Sequence, residues 1–422
     1  MALLRFVPCI TLAKLNNGHD LTQLIRAEYG LLVGSLMSMA GDLSLAEDAL
    51  QEALAQALEQ WPSRGQPKNP AAWILTVARR RLLDQFRKTK HRNADLVQQT
   101  LLNTHPTQHD DVYDNGECIP DHRLELIFTC CHPSLAPEAQ IALTLKVVCG
   151  LSIGQIARAY LTSEAAMSKR IGRAKFKIKH AGIGYKVPHG AAMEQRLSSV
   201  LAVIYLIYNE SYNAYEGQTL TQEDLALEAI YLAKLMHGML PQSSVAGLLA
   251  LLLLHDSRRS ARSSKTQTYI PLKLQDRSLW DQNKIAEGTK LVKSALVSGQ
   301  FGPYQLQAAI SALHSNAQSW KSTDWLQIVG LYDVLYDIEP SPIILLNHCV
   351  ALFYAGSLDQ SYQKVIELEP QLRDYQPYHA AKAEMEAELG DLTAAKESYI
   401  LAIGLSKNDA EKQFLARQLR GL

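Results

Sequence analysis

Apolar residues recur at helical spacing along almost the whole chain, and no stretch alternates strands with hairpin turns as a sheet would require. The expected fold class is therefore all-α. At about 150 residues per domain, 422 residues suffice for two to four domains, each with its own core. An apolar share of 47% and a charged share of 20% exclude a disordered or collagen-like chain. The most apolar window, Val245 to Leu254, is ten residues long, where a membrane-spanning helix needs about 20. No basic, apolar and small-residue leader pattern opens the chain. Six cysteines at irregular spacing suit a reduced compartment rather than a disulfide framework. A cytoplasmic location without membrane contact is expected.

The 42 basic and 42 acidic side chains cancel, but they are unevenly placed. Residues 1–186 hold 22 basic and 17 acidic groups, an excess of five positive charges; the remainder holds 20 and 25, an excess of five negative ones. The positive excess falls in two clusters. ARRRLLDQFRKTKHR sets Arg79, Arg80, Arg81, Arg87, Lys88, Lys90 and Arg92 beside one acid, Asp84. Helical spacing puts Arg80, Arg87 and His91 on one face, with Val77, Leu82, Leu83 and Phe86 directed inward. Such a face neutralises phosphates, and Trp73 nearby can stack on exposed bases. The second cluster follows a short helix, Ser152 to Tyr160, and a turn ending in Ser163. The helix from Glu164 to His180 then carries Lys169, Arg170, Arg173, Lys175, Lys177 and Lys179. Short helix, tight turn and basic helix make a helix-turn-helix whose second helix enters the major groove. Glu164, Ala165, Ser168 and Lys169 would face base edges there and the later cations phosphates. The stretch Leu45 to Trp61, capped by Asp42 or Ser44, is acidic instead (Glu47, Asp48, Glu52, Glu59); its carboxylate face suits a basic protein partner.

These features divide the chain into an N-terminal leader (1–19), a helical unit (20–92), a polar flexible linker (93–120), a helix-turn-helix unit (121–187), a helical extension (188–320) and a repeat segment (321–422). In the last, Gly356, Leu358 and Ser361 recur as Gly390, Leu392 and Ala395, and Val365 and Leu368 as Tyr399 and Ala402, at an offset of 34. That is the period of tetratricopeptide repeats. Cys130, Cys131 and His132 lack the spaced partner pair of a structural zinc site and read as buried thiols. His237, His255 and His348 read as core residues. Arg258, Arg259 and Arg262 could pair with Asp276 and Asp281 or bind a partner. No acid, base or nucleophile constellation points to catalysis, and no metal or cofactor is expected.

AEDALQEAL followed by WILTVARRRLLDQFR resembles region 2 of extracytoplasmic-function sigma factors, and ALTLKVVCGLSIGQIARAYLTSEAAMSKRIGRAKFKI resembles their region 4. DHRLELIFTCCHP, LAVIYLIYNESY, LLHDSRR and the terminal repeats resemble a subgroup with a C-terminal tetratricopeptide-like extension. The resemblance implies that Asp48, Gln51 and Glu52 dock on the β′ clamp of core RNA polymerase, and that region 4 meets the β flap. It implies that the loop with Ser63, Arg64, Lys68 and Asn69 holds a base flipped from the −10 promoter element. Trp73, Arg79, Arg80, Asp84 and Arg87 would line the separated strand, and Glu164, Ala165, Ser168, Lys169, Arg170, Arg173 and Lys175 would read or anchor the −35 element. Arg80 stands where many members have Asn, and Ala166-Met167 where a Thr-Val pair is common, so promoter preference does not carry over. Two DNA-reading units on a tether fit promoter elements that lie far apart. The short join at Lys186 to Gly190 sets the helices after it beside region 4, and the repeats would offer a surface to a signal protein. The alternative is a one-component helix-turn-helix regulator with a repeat sensor, which leaves the first unit without a role.

Overall fold

The computed structural model describes residues 19–92, 119, 121–160, 162–213, 221–262, 269–297, 299, 301–406 and 409–422. The leader, up to residue 18, and nearly all of the expected linker lie outside them. Among the described residues the regular structure is helical throughout, with no β-strand. The chain forms two compact units: residues 1–210 with 221–228, and residues 211–220 with 229–422.

The first unit opens with three helices, α1 (His19–Ala40), α2 (Leu43–Arg64) and α3 (Pro70–Arg92). Asp42 caps α2, its carboxylate accepting from the backbone N–H of Ser44 at 2.8 Å and Leu45 at 3.3 Å, which satisfies two otherwise orphaned donors. Ala46, Leu50, Ala53 and Ala57 turn inward from α2, Leu32, Val33 and Leu36 from α1, and Ile74, Leu75, Ala78 and Leu82 from α3. Small residues at that spacing let α2 lie close to its neighbours. Leu83 is exposed, contrary to the inward orientation expected for it; it lies about 100° around the helix from Leu82. Gly65, at φ 83, closes α2 by donating to the Trp61 carbonyl at 2.9 Å. Asn69 then caps α3, accepting from Ala72 N at 3.1 Å, and Pro70 takes the first helical position, where no N–H is needed.

Next come α4 (Arg123–Cys130), α5 (Pro137–Val147), α6 (Ile153–Ala159), α7 (Glu164–His180) and α8 (Ala191–Asn213). A reciprocal Ser152–Gln155 cap starts α6. Ser163 caps α7, accepting from Ala166 N at 3.2 Å. Met167, Ile171, Ala174 and Ile178 form the buried stripe of α7. Cys130 and Cys131 end α4 as buried thiols. Burial pushes both thiols up, Cys131 to about 12 despite its contact with Thr144. Arg196 of α8 donates to the Phe128 carbonyl of α4, so the first helix after the short join packs beside the helix-turn-helix unit.

In the second unit the Leu-rich α10 (Ser243–Asp256), which follows α9 (Thr221–Met239), packs against α11 (Gln282–Val297) and α12 (Pro303–Asn316). Every residue from Val245 to Leu254 is buried. Close approach requires glycine at two points: a Cβ on Gly247 would stand 2.9 Å from Gln305 N, and one on Gly288 2.8 Å from Leu254 Cγ. No helix of the described residues is long and apolar enough to cross a membrane. The helices α13 (Trp325–Ile338), α14 (Pro342–Tyr354), α15 (Leu358–Glu367), α16 (Glu369–Leu372), α17 (Gln376–Glu388), α18 (Leu392–Leu405) and α19 (Asp409–Arg420) complete the chain. Gly356 (φ 96) turns α14 into α15 and Gly390 (φ 84) turns α17 into α18. Ser361 and Ala395 are wholly buried at the same offset. Buried Glu386 accepts from Tyr362 at 3.1 Å and Ser398 at 2.6 Å, joining the two hairpins.

Arg259 pairs with Asp256, while Arg262 donates to the His255 carbonyl at 2.6 Å. Asp276 and Asp281 instead cap the turns that follow them. His255 shares a 2.9 Å hydrogen bond with Ser311, and burial, helped by Arg258 and Arg262, holds its ring far below the usual range. His314, against Trp320 and Trp325, is pushed down to about 3 by burial, with Arg258 and Arg277 adding to the effect. The unfolded chain therefore binds more protons than the folded one between pH 6.5 and 3, so stability falls as pH drops through that window. With two such groups the slope reaches about 2.7 kcal/mol per pH unit. Urea melts at pH 7.5 and 5 should show the second unit weakening, and His255→Gln should flatten the dependence; equal midpoints at both pH values would contradict the assignment.

Candidate nucleic-acid interface

The outer face of α2 presents Asp48, Gln51 and Glu52 to solvent, followed by Leu58, which is 61% exposed. Glu52 reaches Arg81 of α3 at 3.5 Å. Glu47 leaves this face. Its side chain is 7% exposed and directed inward, because it shares a helical stripe with Leu43, Leu50 and Leu54. The carboxylate face expected along α2 is therefore shorter than the sequence suggests, and Arg81 joins it.

Around the α2–α3 turn, Ser63, Arg64, Lys68 and Asn69 are all exposed. Trp73 is half-buried, its ring edge-on to Trp61 with centroids 5.4 Å apart. Arg80, Asp84 and Arg87 continue the same face of α3, exposed, with Arg87 3.4 Å from Asp84. Arg79 stands apart from it and donates to Ser35 of α1 at 3.3 Å.

On α7 the N-terminal end is open: Glu164, Ala165, Ser168, Lys169 and Arg173 are exposed and Arg170 is half-buried. Ala166 is exposed as well, whereas Met167 is core, which removes it from base contact. Lys177 donates to the Ser134 carbonyl. Phe176, 63% exposed, stacks on His180 with centroids 3.7 Å apart.

Lys175 and Lys179 differ from the rest of α7. Lys175 forms an ion pair with Glu47, and Lys179 lies 2.6 Å from Asp42. Burial alone would raise the Asp42 carboxyl; bonds from Lys179 and from the N–H groups of Leu45 and Ser44 hold it below its ordinary value. Tyr29 donates to Glu47 at 3.3 Å, and Lys146 sits 5.3 Å from the centre of the Tyr29 ring. The Tyr185 hydroxyl bridges the carbonyls of Gly34 at 2.9 Å and His122 at 3.0 Å. The three-helix bundle and the helix-turn-helix unit are thus in direct contact, a contact that the sequence reading of two units on a flexible tether did not include. The missed contacts had one sequence signal: Gly30 and Gly34, one turn apart inside a helix. A Cβ on Gly30 would stand 2.4 Å from the Val148 carbonyl oxygen, and one on Gly34 3.1 Å from that of His122.

Residues 24–92 match Sigma-70 region 2 and residues 125–178 match Sigma-70, region 4. Residues 196–296 match a family of unknown function (DUF6596). An uncharacterized protein of Rhizobium meliloti (strain 1021) is 38% identical over 390 residues, covering 92% of each chain. No solved structure matches the chain. Regions 2 and 4 on one polypeptide define a sigma-70-type transcription initiation factor. The chain belongs to that family as a sigma factor of the extracytoplasmic-function type with a C-terminal helical extension.

Proposed function

We propose that this sigma factor binds core RNA polymerase through the outer face of α2, with Asp48, Gln51 and Glu52 on the β′ clamp, and through region 4 on the β flap. The α2–α3 turn (Ser63, Arg64, Lys68, Asn69) captures an unpaired −10 base. Trp73, Arg80, Asp84 and Arg87 line the separated strand, and Arg79 supports them from behind through Ser35. Glu164, Ala165, Ser168, Lys169 and Arg170 select the −35 sequence while Arg173 and Lys175 anchor phosphate. Melting would draw on the binding energy of unpaired bases stacked and held by the protein. The C-terminal helical hairpins, read as tetratricopeptide-like, receive a signal protein that controls the sigma regions. The observation that carries this reading is the pairing of two exposed basic surfaces, on α3 and α7, with an exposed acidic helix in one unit.

Arg173→Ala should weaken duplex binding equally across sequences and reduce the salt slope by about one. A footprinting series in which it changes the preferred sequence would reassign Arg173 to base reading. The reading as a whole is tested by gel filtration of the protein with core polymerase, followed by footprinting on genomic fragments: co-elution with protection that depends on polymerase is expected, whereas a one-component regulator would protect its own half-sites without polymerase and would not co-elute.

A further inference from the structure

We infer that regions 2 and 4 form a closed, self-masked state in which Asp42 and Glu47 occupy the place of DNA phosphates on Lys175 and Lys179. This inference rests on the reading of α7 as the −35 helix.

The contact has two parts. The first is a seat on α1. Gly30 lies against the backbone of Val148 closer than any side chain would permit, Gly34 lies against that of His122 closely enough that a Cβ would force a shift of a few tenths of an ångström, and Tyr185 ties Gly34 to His122. A glycine inside a helix costs about 1 kcal/mol relative to alanine, so two of them one turn apart are accounted for by the close approach they allow. The second part is a latch. Glu47 is turned inward by its helical register and meets Lys175, while Asp42, already spent on capping α2, also meets Lys179. A carboxylate and a phosphate oxygen present the same charge to an ammonium group, so a lysine held by one is lost to the other. The latch is half-sheltered at Lys175 and open at Lys179, whose side chain is 64% exposed, so salt acts mainly on the outer pair. The N-terminal reading end of α7 and Arg173 remain exposed in the closed state, which leaves sequence reading possible while phosphate anchoring by Lys175 and Lys179 is withheld. Loading onto two separated promoter elements then requires the seat to part.

Fluorophores carried by unnatural residues at Glu59 and Glu138, both exposed, report the separation of the two regions in the full chain without polymerase or DNA. Energy transfer should be high in the native protein and fall in Gly30→Ala/Gly34→Ala, a pair that favours the helix itself but blocks the seat. It should fall also in Asp42→Asn/Glu47→Gln, which keeps hydrogen-bond acceptors but removes both charges. Affinity for a non-specific duplex at low salt should rise at least several-fold in both variants. Unchanged transfer in both would overturn the closed state. Reduced transfer with unchanged duplex affinity would overturn the masking. Because transfer is read without polymerase, failure of the sigma assignment would leave the first result standing and would appear separately, as loss of promoter-directed activity in the native chain.

Discussion

Replacing Asp48 and Glu52 together with lysine is expected to lower the affinity for core RNA polymerase tenfold or more while leaving the fold intact. Both side chains are exposed on α2 and neither contributes to the core, so the substitutions change the surface alone. Among the described residues Glu52 pairs with Arg81 at 3.5 Å, both side chains about half exposed; such a pair is worth at most about 1 kcal/mol. If a basic surface of the polymerase meets this face, reversal replaces two attractions with two repulsions, and like charges across an interface cost several kcal/mol. The loss should ease with added salt, since the charges are at a solvated surface. Glu47→Lys would be an unsuitable substitute, because it disturbs the buried Lys175 contact instead. Titration of labelled protein against core polymerase checks this, with thermal melting as the control for folding. Equal affinity with an unchanged melt would move the polymerase contact elsewhere.

The largest expected loss of stability lies in the second unit. Asp256 ends α10 with its side chain 1% exposed, between Arg259 and Lys284, the latter at 2.8 Å. Asp256→Ala removes the buried carboxylate that Arg259 and Lys284 share, leaving Lys284 the more exposed Asp281 at 3.5 Å. Breaking a buried pair from one side costs about 3–5 kcal/mol. Arg259 is partly exposed and can swing to solvent, so the lower part of that range is expected. Denaturant unfolding of the variant should show one transition shifted to lower urea, with the first unit unaffected. A shift corresponding to less than about 1 kcal/mol would mean that water already solvates this cluster.

Much of this was legible in the sequence because it depends on local rules. The helix Glu164 to His180 runs from its capping serine to the last turn that its stripe of Met167, Ile171, Ala174 and Ile178 supports. Asp42 caps α2 and Gly356 and Gly390 turn their hairpins for reasons that four or five consecutive residues state. What the sequence hid is long-range. Lys175 looked like one more cation on a basic helix, and its partner Glu47 lies 128 positions earlier. Glu47 itself was grouped with the exposed acids by charge, although its register with Leu43 and Leu50 assigns it inward. Gly30 and Gly34 carried a packing requirement whose other half, the backbone of His122 and Val148, lies beyond the linker. Arg259 pairs with Asp256, three positions earlier on the same turn, and Asp276 and Asp281 cap the turns they begin.

The central claim is that this chain gives core RNA polymerase its promoter specificity. The most direct measurement is run-off transcription from a library of genomic fragments by core polymerase with and without the protein. The account predicts transcripts that require the protein and start at fixed points, with two shared elements upstream whose use is lost in Asp48→Lys/Glu52→Lys. Transcription that is unchanged by the protein, or stimulated alike on every fragment, would contradict it.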